Sequence, residues 1–579
     1  MRFGFASELG FWEQFPMLRS LMMTLAAMCF VSGAVSVKAA GQSDEGKNAE
    51  SADKGDAVGK PNVVVILADD LGYGDVRCYN PQRCKIATPN IDRLASQGLR
   101  FTDGHSSSGV CSPSRYALLT GRYHWRTRLQ SGIVGVFGEP LIAPDRLTIA
   151  GLVKGHGYRT ACIGKWHLGW DWPMTEEQRK LCAPARGEKP EVTEGHRQAW
   201  QEIFNKPIAG GPTTRGFDRY FGTDVPNWPP YCFIDQDRTV GVPTEFLPAA
   251  LLGNNLASLP GPALADWKLE PILPALSDRA VEFIRESAAA NSPFLLYLPL
   301  TTPHTPLSVN EPWRGQSGLN NRFADLVMET DDVIGRVLAA LDEAGIADET
   351  FVLMTADNGC APYIGAKELE QQGHYPSGPL RGYKADVWEG GHRVPMIVRW
   401  PKVVQAGRVS DQLVHHADLI ATLADVLGTT LPPNAGEDSF SFLPILRGED
   451  RPILLGEDRP IRETAISTSA AGVPGLRLGD WKYIPAAEPK ARATGNEQAT
   501  PQSKAAADNK GTAATSPTVQ LYHLGEDIAE SKNLAAAQPE KVAQMKELLE
   551  RLIVDGRSTP GPKQSNDIRV RRYPNPERR

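Results

Sequence analysis

No C-x-x-C pair occurs in the 579 residues, and no apolar run is long enough to span a bilayer. The first absence argues against a structural zinc site, whose ligands come in such pairs. The second excludes a stable transmembrane helix, which needs about 20 consecutive apolar residues. Positive charge is not in excess either: 62 Lys and Arg stand against 68 Asp and Glu, a net charge of -6. Without a basic field, nucleic acid is not an expected partner. The longest apolar stretch, 21–35, follows Arg19 and leads into Ser32-Gly33-Ala34 or Val37-Lys38-Ala39, the layout of a signal peptide over 1–40 with a small-residue cleavage site. Glu8 and Glu13 make a poor n-region, so Met17 is an alternative start, and Cys29 follows Met28 instead of a small residue, which argues against a lipid anchor. The expected location is periplasmic or secreted, with 41–60 a polar, disordered linker. Export permits disulfides, and Cys78 with Cys84 and Cys182 with Cys232 are the expected local pairs.

What is present is a set of short, almost wholly apolar runs. Residues 62–68 (NVVVILA) read as a strand buried on both faces, and 158–163, 294–299 (FLLYLP), 350–356 (TFVLMTA) and 396–400 read as further strands. Strand ends are where sites form in open α/β sheets, and polar residues follow here. Asp69-Asp70 repel one another unless a cation joins them, although a single Asp in such a place is commonly an N-cap or turn. Asp357-Asn358 would complete an oxygen-rich shell that favours Ca²⁺ over a transition metal, with an Asn358-Gly359 hairpin as the rival reading. In Gly164-Lys165-Trp166-His167, an extended backbone would put Lys165 and His167 on one side, a cation and an imidazole able to grip an oxyanion and move a proton. Prolines on both sides of Thr302-Pro303-His304-Thr305-Pro306 present His304 rigidly for proton transfer.

Residues 111–122 read Cys-Ser-Pro-Ser-Arg-Tyr-Ala-Leu-Leu-Thr-Gly-Arg. Ser112 suits an N-cap and Pro113 the first helical position, which places Cys111 just off a helix's positive end with Arg115 one turn in. The bland alternative is a buried Cys packing as a small hydrophobe. The string matches C-x-P-S-R-x-x-x-L-T-G-R and resembles the signature of the type I sulfatases, formylglycine-dependent, arylsulfatase-like enzymes of the alkaline phosphatase superfamily. The G-K-W-H-L-G string, the H-T-P element, and G-x-K followed by E-G-G-x-R-V-P at 382–395 are similar to further elements of that family.

The resemblance implies an α/β catalytic domain over 61–455, with a large mixed, mostly parallel sheet flanked by helices, and a smaller α+β subdomain over 456–579 carrying an antiparallel sheet. It implies that a maturation enzyme converts Cys111 to formylglycine, whose hydrate supplies the nucleophilic hydroxyl. Asp69, Asp70, Asp357, Asn358 and the side chain at Cys111 would hold Ca²⁺. Lys165 and Arg115 would grip the sulfate, His167 would act as acid and base, His304 aided by Lys384 would protonate the departing alcohol, and Arg122 would brace position 111 from within its helix. His105, His374 and His392 flank the motifs and are expected to touch substrate. The implied reaction is hydrolysis of a sulfated carbohydrate or aryl sulfate. Two rivals are a phosphonate or phosphodiester hydrolase of the same superfamily and a non-catalytic sulfated-glycan binding protein.

Elsewhere, 171–274 reads as loops at the site mouth whose Trp172, Trp200, Trp228 and Trp267 either stack on sugars or form satellite cores, the commoner case. Residues 476–484 and 521–524 read as strands of the smaller sheet around a disordered insert near 485–518, and Pro539 opens a final helix.

Overall fold

Alternation along one strand sets the layers of the molecule. In β1 (Asn62–Ala68) Val63, Val65 and Leu67 enter one apolar cluster and Val64, Ile66 and Ala68 enter another, as expected of a strand covered on both sides. The structure is a computed structural model that describes residues 59–184, 191–252, 257–449, 453–454, 457–458, 460–486 and 518–570. The expected signal peptide, all but two residues of the linker and nearly all of the 485–518 insert lie outside the described residues.

The main sheet comprises β1, β2 (Leu99–Phe101), β3 (Arg159–Lys165), β4 (Arg219–Thr223), β5 (Ile234–Asp235), β6 (Arg238–Thr239), β7 (Phe294–Pro299), β8 (Thr350–Ala356), β9 (Met396–Arg399) and β10 (Arg408–Ser410). Its order is β10-β2-β9-β8-β1-β7-β3-β4-β5-β6. The centre, β8-β1-β7-β3-β4, is parallel. Antiparallel neighbours extend both sides. Because the central strands run the same way, their polar C-terminal ends all reach one edge of the sheet.

One face is covered by α1 (Pro89–Ser96) and the long helices Ile272–Ala289 and Arg322–Glu343. The latter starts where the Asn321 side chain accepts from Phe323 N and Ala324 N, and it buries the expected stripe from Phe323 to Leu341. On the other face lies α2 (Cys111–Thr120), all of whose residues are buried. Val110 is its N-cap, so Cys111 is the first helical residue, where the sequence placed it just outside.

The smaller sheet has four antiparallel strands, Thr464–Thr468, Pro474–Leu478, Trp481–Ile484 and Gln520–His523. The expected single strand at 476–484 is broken by a turn at Gly479, whose φ of +54° suits a residue without Cβ. Helix Pro539–Val554 covers this sheet, and Tyr123 and Trp125 of the larger region share its apolar core. Both sheets therefore belong to one compact unit.

Two expectations are corrected. All seven described cysteines are free thiols, so neither Cys78–Cys84 nor Cys182–Cys232 forms; the Cys84 thiol instead donates to the carbonyls of Asp75 and Ile86, both at 3.4 Å. The 171–274 segment is not mere loop: it supplies β4 to β6 and helices Glu176–Cys182 and Glu194–Phe204. Trp172, Trp200 and Trp228 are buried, which makes them core. Among the described residues no helix is long and apolar enough to cross a membrane.

Candidate active site

Four parallel strands end within reach of one another. Asp69 and Asp70 follow β1, Lys165 ends β3, His304 lies beyond β7, and Asp357 and Asn358 follow β8. Backbone hydrogen bonds lock the ends in register: Asp69 N donates to Thr302 O and Asp357 N to Ala68 O, each at 3.0 Å. Asp70 adopts φ +66°, a strained conformation for a residue with a side chain. Lys384 arrives on the glycine-rich loop, which packs so tightly that a Cβ at Gly359 would lie 1.9 Å from Gly390 O.

The side chains form a buried, interlocked set. Lys165 Nζ donates to Asp69 Oδ2 and Lys384 Nζ to Asp70 Oδ2, both at 2.6 Å. Arg115 donates to Asp357 Oδ2 from Nε at 3.1 Å and from Nη2 at 2.8 Å, and to Lys165 O at 2.8 Å. Asn358 Nδ2 donates to Asp70 Oδ1 at 2.8 Å. Thus Arg115, expected on the sulfate, is spent on Asp357. Burial alone would raise the Asp69 carboxyl, but Lys165, His304, Arg115 and Lys384 hold it well below the usual carboxylate range. Asp357 goes the other way, pushed up to about 7 by burial and by Asp69. A divalent cation among three carboxylates would relieve that repulsion.

The donor set fits such a cation. Ligand atoms of Asp69, Asp70, Cys111 and His304 all lie within 4.8 Å of one another. Among the described residues, Asp69 Oδ1 and Asn358 Oδ1 are buried and accept no hydrogen bond; Arg115 Nη2 lies 3.7 Å from Asp69 Oδ1. Buried oxygens rarely stay unpaired without a reason, and carboxylate and amide oxygens are what hard cations bind.

The proton-handling groups surround this set. Burial lowers His167 well below the usual imidazole value, with Lys165 and Arg115 adding to the effect. The neutral ring donates from Nε2 to Val134 O at 3.2 Å, which leaves buried Nδ1 unpaired as an acceptor. His167 has φ +52°, so it reaches the site by a turn and not by the extended path expected. Burial, then Lys384, bring His304 down to about 4. Its Nδ1 bonds Thr305 O, and its Nε2 lies 3.6 Å from Asp70 Oδ2. Burial pushes the Cys111 thiol up to about 11 in spite of Lys165 and Lys384, so the unmodified side chain is not a thiolate nucleophile near neutral pH.

Four predicted residues are elsewhere. His105 is engaged at both nitrogens, by Asp103 Oδ1 at 2.8 Å and His392 Nδ1 at 3.1 Å. His392 Nε2 meets Val387 O at 3.0 Å. His374 bonds Asp75 Oδ1 at 2.8 Å and accepts from Lys85 N at 3.1 Å. Arg122 lies past the helix, turned away by Gly121 at φ +67°, and pairs with Glu437 at 3.2 Å and Asp567 at 2.9 Å. All four side chains are buried in structural pairings, not presented to a ligand. Tyr363, unmarked by any local pattern, lies near this set: burial raises its phenol, the charges of Lys384 and Asp70 act on it, and it bonds the Thr305 side chain.

Comparison with known proteins agrees with this geometry. The Sulfatase family pattern matches residues 61–429. The chain is 30% identical to an N-acetylgalactosamine-6-O-sulfatase of Bacteroides thetaiotaomicron, over 88% of this chain and 94% of that one. It is 31% identical to human arylsulfatase A, over 87% and 90%. A solved structure from work on glycosaminoglycan metabolism by Bacteroides thetaiotaomicron superposes with a TM-score of 0.68 at 29% identity, covering 85% of this chain and 99% of that one. The strand-end site and these likenesses together identify the chain as a member of the sulfatase family, the sulfuric ester hydrolases.

Proposed function

We propose that the chain is an exported, Ca²⁺-dependent sulfatase that removes sulfate from a sulfated sugar, with formylglycine made from Cys111 by a maturation enzyme as its nucleophile. The observation that carries this reading is the pair of unpaired buried oxygens, Asp69 Oδ1 and Asn358 Oδ1, in a cluster that also holds Cys111, His304 and two lysines. Its three carboxylates and three fixed cations already balance, so a bound divalent ion leaves an excess of positive charge that suits a sulfate ester anion. Ca²⁺, held by Asp69, Asp70, Asp357 and Asn358, supplies that charge when bound, and hydrated formylglycine supplies a hydroxyl that a protonated thiol does not.

The chain's own residues do the rest. Lys165 and Lys384, each now 2.6 Å from a carboxylate that the ion would engage, are placed to turn toward the ester's anionic oxygens. Nδ1 of His167 receives the proton released at position 111. An anionic ester beside His304 raises the affinity of that ring for a proton, which Nε2 then delivers to the departing oxygen. Arg115 orients Asp357.

The N-acetylgalactosamine-6-O-sulfatase likeness supports a sugar as the alcohol. The test is protein coexpressed with a formylglycine-generating enzyme. Mass spectrometry of the peptide containing residue 111 reads the conversion, and sulfate release from defined sulfated saccharides is followed after chelation and Ca²⁺ return. Turnover that survives complete metal removal, or turnover with an unconverted Cys111, rejects the proposal.

A further inference from the structure

Thr223, the last residue of β4, stands opposite Lys165, the last of β3, and Trp166 N donates to Thr223 O at 3.2 Å. The two parallel strands therefore release their chains side by side at the reaction edge of the sheet. Past β3 the backbone turns sharply, with φ of +52° at His167 and +85° at Gly169. Glycine takes such angles freely and histidine does not, so a contact from outside the turn must hold residue 167 there. Past β4 comes Asp224, half-buried, which no motif marks. Its Oδ1 accepts the His167 peptide N–H at 3.1 Å, and the Trp170 side chain gives the same carboxylate a second, less well-formed hydrogen bond. One carboxylate thus ties both ends of the turn from His167 to Trp170.

The ring is gripped from other directions. His167 Nε2 donates to Val134 O and Val134 N donates to Ser112 Oγ, both at 3.2 Å, so the imidazole is keyed to the helix that begins at Cys111. The indole of Trp228, four residues beyond Asp224, meets it edge-on, with centroids 5.3 Å apart and planes at 80°. Trp228 is itself fixed, its Nε1 donating to Ala257 O at 2.7 Å. These contacts set Nε2 and one side of the ring, and the bond to Asp224 sets the backbone from which the ring hangs. Burial raises the Asp224 carboxyl to about 6, while its two hydrogen bonds and then the charges of Lys165 and Arg115 act against the rise. It therefore lies within the field of the reaction centre.

We propose that Asp224 is the positioning residue for His167: by accepting the peptide N–H of this left-handed residue, it holds the free Nδ1 where the proton from position 111 arrives. Asp224 acts through the ring and not on the substrate. This inference rests on the sulfatase reading above, in which His167 receives that proton. Without the acceptor the turn relaxes toward an ordinary backbone conformation and draws Nε2 away from Val134 O. A displacement of about 1 Å at a reacting group can lower a rate by about 10²-fold.

In protein coexpressed with the maturation enzyme, Asp224→Ala should lower kcat on a sulfated N-acetylhexosamine about 10²-fold and move KM by less than about threefold. Asp224→Asn, which keeps an oxygen for the same N–H, should recover kcat to within about fivefold of the wild type. In a His167→Gln background Asp224→Ala should have no further effect, because two residues that act through one ring are not additive. Asp224→Ser, too short to reach the peptide N–H, replaces the alanine variant if thermal unfolding shows that alanine prevents folding. A raised KM at unchanged kcat would put Asp224 on the substrate, and equal losses with and without His167 would make its effect independent of that ring; either result overturns the proposal. The unconverted protein gives a readout that needs no turnover. With nitrogen-15 labelling of histidine, and His167→Gln to identify the signals, the wild type should show the Nε2–H tautomer at residue 167 and Asp224→Ala a mixture of both tautomers. A tautomer unchanged in that variant overturns the inference and leaves the sulfatase reading in place. Failure of the converted wild type to release sulfate from this sugar, from sulfated oligosaccharides and from 4-nitrophenyl sulfate overturns the sulfatase reading instead, and the tautomer spectrum still decides whether Asp224 sets the ring.

Discussion

Of two buried ionic clusters that flank the same glycine-rich loop, only one has the character of a reaction centre. Around Asp69, Asp70 and Asp357 the cations leave carboxylate and amide oxygens unused. Around Glu389 both oxygens of the carboxylate are taken by cations, and Glu530 Oε1 lies 2.9 Å from Lys482 Nζ. Glu389 Oε1 takes Lys482 at 2.9 Å, its Oε2 takes Arg393 at 3.3 Å with Arg477 at 3.6 Å, and its amide donates to Glu530 Oε2 at 2.7 Å. His105, Glu389 and His392 also bring potential ligand atoms within 4.8 Å of one another, yet Lys482 Nζ already sits 3.2 Å from His392 Nε2. Depth and charge are alike in the two places. The difference is saturation: a filled set of hydrogen bonds fixes the backbone, and an unfilled one waits for a ligand. The filled cluster joins the smaller sheet, through Arg477 and Lys482, to the loop that carries Lys384.

The sharpest break in that contrast is at the reaction centre. Cys111→Ala should lower turnover by roughly 10⁴-fold or more while leaving the far-ultraviolet circular dichroism and thermal unfolding of the wild type in place. Asp357→Ala should lose bound calcium, measured by elemental analysis, together with activity, and metal retained at full stoichiometry would remove Asp357 from the ligand set. In the filled cluster the order reverses. Lys482→Met strands the Glu389 carboxylate and should cost about 3–5 kcal/mol in urea unfolding, with the metal content of the folded fraction unchanged. A loss of calcium there instead would erase the distinction between the two clusters.

The smallest effect is in acid. Burial would raise Asp103 and Glu389, but Arg477 and Arg393 on the first, and Lys482 and His105 on the second, hold both well below the carboxylate range. A carboxyl with a depressed folded-state pKa contributes stability above its unfolded value and loses it as pH falls, so unfolding free energy should drop below about pH 4. Asp103→Asn should flatten that dependence in urea titrations run between pH 3 and 5.

Much of this was legible in the residues because the central strands are covered on both faces, which forces unbroken apolar runs such as 62–68 and 350–356 and leaves their polar ends conspicuous. The partners of each polar group were not legible. His105 and His374 lie close in sequence to motif residues, but their rings answer to Asp103 and His392 in one case and to Asp75 in the other. Only the fold decides which side of a loop faces substrate. Arg115 lies among the strand-end residues, and its fork is taken by Asp357 across 242 positions of chain. Arg122 was misplaced because the glycine before it ends the helix. The helix Cys111–Thr120 shows no amphipathic stripe, since it is enclosed on every side.

That enclosure sets a schedule for the molecule. With Cys111 only 1% exposed, a second enzyme cannot grip the thiol and its neighbours once the two sheets have closed over them. The proposed conversion of Cys111 would therefore belong to the interval between synthesis and collapse of the chain, and the rate of folding would compete with it. A host that folds the protein faster than it modifies it would accumulate sound but inert copies, indistinguishable by shape from working ones.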